Sequence, residues 1–188
     1  MGAGIISREI VLGRIAALVK KFVYKVSLSR GLSEAAATAA GGKIFTFGSY
    51  RLGVHGPGSD IDTLCVVPKH VSRDDFFDVF EDMLRECDGV SEVSVSGIGD
   101  ASSHSAQNAD KIHCWQFTQG VPEAYVPIIK VKIQGIAIDF LMARLALSSI
   151  PDDLSLRDDN LLRNLDERCV RSLNGVFCVL SGCVFSYD

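Results

Sequence analysis

The sequence has no stretch of 18 apolar residues without a charge. The longest contender, Ile128 to Ile150, is broken by Lys130, Lys132, Asp139 and Arg144, so no transmembrane helix is expected. A secretory leader is not expected either, because Arg8, Glu9 and Arg14 fall inside the first apolar run and no small-residue cleavage site follows. C-x-x-C pairs are absent, and Cys65, Cys87, Cys114, Cys169, Cys178 and Cys183 are irregularly spaced, which argues against a zinc ribbon or a disulfide framework. They read as packing thiols in a reducing compartment. Five prolines and one tryptophan exclude polyproline and collagen-like chains. No internal repeat and no GxxxxGK[ST] loop occurs, so P-loop chemistry is not in contention.

What remains is globular: 47% of the 188 residues are apolar and 22% charged, enough for one domain with a core. The net charge of −4 conceals an asymmetry. Residues 1 to 32 carry six Lys or Arg against Glu9 alone, whereas residues 60 to 110 carry twelve acids against three bases. The first face suits phosphate; the second would need metal to approach it.

Between Ser7 and Lys25, Val11, Ile15, Leu18, Val19 and Phe22 recur at helical spacing. A short helix is predicted from Ser33, as N-cap, to Ala40, stopped by Gly41 and Gly42. Lys43 to Phe47 and Asp62 to Val67 read as strands, the second closed by Pro68, and a glycine-bearing connection joins them. Ser72 caps a helix over Asp75 to Glu86. Residues 127 to 134 alternate Ile129, Val131 and Ile133 against Lys130 and Lys132, and Gly135 parts them from a second strand, Ile136 to Ala143, predicting a hairpin. Leu161, Leu162 and Leu165 approach helical spacing within Pro151 to Arg171.

The chemistry concentrates in GSYRLGVHGPGSDIDTLCVV, Gly48 to Val67. Asp60 and Asp62 stand two apart at a strand entrance, so the pleat aims both carboxylates to one face, where a divalent cation would relieve their repulsion. An Asp pair in a turn is more often only a solvated loop. Asp139 shifts that balance: it lies among Ile136, Ile138, Phe140 and Leu141, where an unpaired carboxylate is costly and a shared cation would satisfy it. Convergence of the three acids is expected, with some splaying by repulsion when no ion is present. Gly48 and Ser49 follow a strand and open a short helix through Leu52, offering N–H groups and a hydroxyl to phosphate oxygens. His55, His70, His104 and His113 show no ligand spacing, and Cys65 sits in an apolar strand as a core thiol.

Gly48-Ser49, then Asp60-x-Asp62, then a lone strand Asp139 resembles the nucleotidyltransferase superfamily that includes DNA polymerase beta. More narrowly, KIFTFGSYRLGVHGPGSDIDTLCVVPKHV, VPIIKVKIQGIAIDFLMARL and DDNLLRNLDERCVRSLNG are similar to fungal-type nuclear poly(A) polymerase, over Ile6 to about Val93 and Gly120 to Asn174. The resemblance implies an α/β (α+β) nucleotidyltransferase fold, a mixed sheet flanked by helices, that transfers AMP from ATP to the 3′-hydroxyl of pre-mRNA by two-metal catalysis. It makes Asp60, Asp62 and Asp139 the ligands of Mg2+ or Mn2+, with Phe47, Gly48 and Ser49 lining the triphosphate. The implied partners are ATP, an RNA 3′ end and mRNA 3′-end processing factors in the nucleus, with no membrane and no DNA.

Two segments depart from the family. Residues 95 to 119 read as an inserted loop, and 175 to 188 as a tail outside the family pattern, leaving 1 to 174 as the catalytic domain without the family's central and RNA-binding domains. A valine whose codon starts with GT stands at or next to the start of each segment (Val95, Val176), and the first ends at Gln119, whose codon can be CAG; a translation that retains one intron in frame and ends inside a second is the reading that follows. Because the resemblance places the adenine contacts and most of the RNA grip in those other domains, weak or absent AMP transfer is expected of this chain. Two alternatives stand beside it: a non-catalytic binding module on the same fold, and an aspartate-based phosphatase suggested by DIDTL, although there the apolar strand should precede the first Asp.

Overall fold

The computed structural model describes residues 2–53, 56, 58–96 and 127–156. The first helix, α1 (Gly2–Ser29), runs further at both ends than its apolar spacing predicts. Gly31, at φ +81°, ends it. Helix α2 (Glu34–Ala40) starts where Ser33 accepts the Ala36 N–H and stops at Gly41. Strand β1 (Lys43–Thr46) leads into the short α3 (Gly48–Leu52), and β2 (Ile61–Val67) follows the glycine-bearing connection.

Ser72 then builds a reciprocal cap with Asp75 at the head of α4 (Arg73–Asp75). The expected single helix over Asp75 to Glu86 instead contains a π turn, Phe76–Phe80, before α5 (Glu81–Arg85). That extra residue per turn lets Phe76 stack on Phe80 at 5.2 Å and sets Phe80 against Phe22 and Phe140. A strand the sequence pattern does not announce, β3 (Val90–Ser96), comes next. Val95 and Ser96, assigned above to a loop, pair with Ile129 and Ile128. Residues 97 to 119, the tail, and the helical spacing around Leu161 lie outside the described residues.

Strands β4 (Ile128–Ile133) and β5 (Ile136–Arg144) form the predicted hairpin. Its two-residue turn has φ +50° at Gln134 and +81° at Gly135, the doubly left-handed turn whose twist suits adjacent antiparallel strands. The sheet order is β1, β2, β5, β4, β3, antiparallel throughout except for the parallel central pair of β2 and β5.

Alternation along the central strands divides the molecule into two layers. Ile61, Cys65 and Val67 of β2 and Ile138, Phe140 and Met142 of β5 pack under α1 and the α4–α5 segment, with Val19, Phe22, Phe76, Phe80 and Leu84. On the opposite face Leu64, Val66 and Ala143 meet Leu145, Ile150, Leu154 and Leu156 of the segment that follows β5. That segment is held by Ile150 N–H to Ala40 O and Lys43 Nζ to Leu154 O. It covers the far half of the face; the near half begins with Asp62 and Asp139. Among the described residues, no helix is long and apolar enough to cross a membrane.

Candidate active site

Parity places the predicted acids. Asp62 shares its face with Leu64 and Val66, and Asp139 shares it with Leu141 and Ala143, so both carboxylates project from the side away from α1. The register makes them direct partners, Asp62 opposite Asp139 across the parallel pair. Asp60, just before β2, stands exposed at the strand mouth.

Asp139 is only 9% exposed. The sequence argument gives its charge a metal; the structure gives it an ammonium, Lys130 Nζ at 2.8 Å from Oδ2. Lys130 is Asp139's register partner on β4, and Ser94 of β3 completes the row. One row further on, Lys132 reaches Glu92 at 3.6 Å. Burial, then the charges of Asp139 and Asp60, push the Asp62 carboxyl above its ordinary value, and Lys130 offsets them only in part. Lys130 is itself driven upward, first by its hydrogen bond to Asp139 and then, against some desolvation, by the charges of Asp139, Asp60 and Asp62. The three acids and Lys130 thus form one electrostatic unit.

The donor set fits a hard divalent cation: carboxylate oxygens on one face, mutually repelling, with no sulfur or imidazole among them. The acids are not drawn together as a closed ligand shell, however; among the described residues no three His, Cys, Asp or Glu side chains are gathered to hold an ion. Asp139 is held instead by Lys130, and the like charges of the acids repel.

Phe47 and Gly48 bring the β1 end to the same spot. Phe47 donates its N–H to Asp62 O at 3.0 Å. Gly48 adopts φ +63°, and a Cβ placed there would overlap Asp62 Oδ2. Only glycine permits this approach of backbone to carboxylate. Ser49 lies in the first turn of α3 behind it. From α1, Arg8 donates to Ser59 O at 3.4 Å and lies 5.8 Å from the Tyr50 ring centroid, so both ends of the connection are tied to the first helix.

Among the other singled-out residues, Cys65 is fully buried, and burial pushes its thiol well up, so it is inert packing. Cys87 is also a free thiol. His70 shares a hydrogen bond of 2.7 Å with Ser27 Oγ, a structural role. His55, His104, His113 and the remaining cysteines lie outside the described residues. Lys130 is the site residue that sequence reasoning missed. Its signal was present: a two-residue turn at Gln134-Gly135 fixes the hairpin register and puts Lys130 opposite Asp139.

A mixed sheet with in-register aspartates on its central parallel pair, beside a glycine-opened helix, is the arrangement of a nucleotidyl-transfer domain. The family described as "Poly(A) polymerase nucleotidyltransferase domain" matches residues 3–97 and 103–178. Poly(A) polymerase PAPalpha of Candida albicans is 52% identical over 165 residues, 88% of this chain and 25% of that protein. Poly(A) polymerase pla1 of Schizosaccharomyces pombe is 50% identical over the same shares, 88% and 25%. The chain belongs to the poly(A) polymerase nucleotidyltransferase family, and it spans about a quarter of the length of these curated relatives. Among solved structures, the Cid1 poly(U) polymerase overlaps 76% of this chain and 31% of its own at 13% identity and a TM-score of 0.41, too loose a likeness to carry any argument.

Proposed function

We propose that this domain transfers AMP from ATP to the 3′-hydroxyl of RNA in nuclear mRNA 3′-end processing, with Asp60, Asp62 and Asp139 as the carboxylates that hold Mg2+ or Mn2+. The observation that carries the reading is Asp62 in register with Asp139 on one open sheet face. A bound divalent ion would supply charge neutralisation at the triphosphate and a lower pKa for the attacking hydroxyl.

The chain's own residues do the rest. Asp62 and Asp139 are fixed on two strands paired in continuous register from Ile61 with Ile138 to Val67 with Arg144, so the spacing of their backbones is set by the sheet. Gly48 leaves room for a polyanion to approach backbone N–H groups where a side chain would block it, and Phe47 and Ser49 flank that approach. Asp139, the more deeply buried acid, is the candidate to face the primer hydroxyl.

Labelled ATP, Mg2+ or Mn2+ and an RNA primer given to the purified chain test the reading. Adenylate addition should be far slower than by a full-length relative and should disappear in Asp62→Ala and Asp139→Ala. Incorporation that survives both substitutions would remove these carboxylates from the chemistry.

A further inference from the structure

The Asp139 carboxylate needs a cation before any metal arrives, and the fold already provides one. Lys130 Nζ lies 2.8 Å from Asp139 Oδ2, placed there by hairpin register rather than by chance contact of long surface side chains. The two ends of the pair are unequally exposed, 43% for the lysine side chain and 13% for the aspartate. The ammonium therefore has open solvent to retreat into, whereas the carboxylate is fixed in the sheet. Lys132, two residues on, is turned to Glu92, so it does not share this role.

We propose that Lys130 is a built-in counter-cation that competes with the divalent ion for Asp139, and so sets the metal concentration at which the site assembles. The inference rests on the reading of Asp60, Asp62 and Asp139 as the metal carboxylates. In the metal-free chain the lysine neutralises a carboxylate that would otherwise be buried beside a second, in-register one, and the sheet folds without metal. A divalent ion must displace the ammonium from Asp139, or bind against its positive charge. Either route lowers affinity relative to an uncontested acid set.

The test is Mn2+ binding by the whole 188-residue chain, followed by calorimetry and by the electron paramagnetic resonance signal of the free ion. Lys130→Met and Lys130→Gln should bind Mn2+ about tenfold tighter or more, the scale of one unit charge removed from a divalent ion a few ångströms away. Lys130→Arg, which keeps the charge, should stay within about twofold of the parent. In chelator the Met and Gln variants should melt below the parent, and Mn2+ should raise their melting temperature by more than it raises the parent's. Equal or weaker Mn2+ binding by both neutral variants, with circular dichroism like the parent's, would overturn the proposal and leave the assignment of the acids standing. No saturable binding by the parent, or binding unchanged in Asp62→Asn and Asp139→Asn, would overturn both.

Discussion

Asp62 and Asp139 face each other across the one parallel strand pair in the sheet, with the Lys130 ammonium bound to the second of them. Two carboxylates in register repel each other, and burial first, then the charges of Asp139 and Asp60, raise the pKa of Asp62. The folded value lies above the unfolded one, so ionisation is the less favourable in the folded chain. Stability is greatest below the unfolded value and falls as pH rises through the folded one, and at neutral pH the full penalty is present. Asp62→Asn should therefore stabilise the metal-free chain at pH 7 while abolishing adenylate transfer. Urea melts in chelator would show it; a destabilised Asn variant would mean that the repulsion is already relieved.

Gly48→Ala is expected to fail for two independent reasons, the left-handed backbone and the collision with Asp62 Oδ2. Loss of roughly 1–3 kcal/mol is the scale of such strain, and transfer activity should fall by about a hundredfold as Asp62 is displaced. Gly53→Ala is the control, because its added Cβ would meet nothing within 4 Å although φ is also positive at +71°. Equal activity losses in both would point to backbone strain alone.

Phe80 joins three aromatic partners, Phe22 at 5.2 Å, Phe76 at 5.2 Å and Phe140 at 5.6 Å, and so links α1, the π turn and β5. Truncation to Ala should cost about 3–5 kcal/mol. Phe77→Ala, at a half-buried neighbouring position, should cost clearly less. A reversed order in chemical denaturation would contradict the packing.

The acid limb of stability should have two parts. Burial, Arg30 and Lys69 lower the pKa of His70 against a smaller opposing pull from Asp75, so the folded chain favours the neutral ring and loses stability as pH falls below the ordinary histidine value of about 6.5. Asp75 is lowered instead: burial works against ionisation but is outweighed by the Ser72 N–H and hydroxyl and by Arg30. Its contribution is present above the ordinary carboxylate value of about 4 and is lost as pH falls further. His70→Gln should flatten the first part, and Ser72→Ala should weaken the second while costing about 1 kcal/mol at neutral pH. A His70→Gln stability curve that overlays the parent between pH 7 and 5 would rule out the histidine as its source.

How far the sequence reveals this structure depends on whether a signal is local. Ser33, Ser72 and Gly41 mark helix ends because capping uses neighbours three residues away, and the β4–β5 hairpin is visible because Gly135 allows its turn. Strand β3 is hidden because its valines fall at 90, 93 and 95, out of a period of two, and only the register shift between Val90 and Glu92 lets all three pack against the core. The π turn leaves no local sign either, since Phe76, Phe77 and Phe80 fit an ordinary helix face equally well. In the site, the acids and Gly48 are legible from spacing, whereas the partner of Asp139 emerges only when the Gln134-Gly135 turn is used to count the cross-strand register back to Lys130.

The parallel pairing of β2 with β5 also bears on the order in which the molecule forms. Its two strands are separated by the α4–α5 segment, β3 and β4, so Asp62 meets Asp139 only after more than seventy intervening positions have been closed into a loop. The hairpin of β4 and β5 needs only a two-residue turn and can form early, carrying the Lys130–Asp139 pair with it. On that order Asp139 would be neutralised by a local partner before its like-charged neighbour arrives, and docking of β2 would bring one net negative charge, not two, to the centre of the sheet.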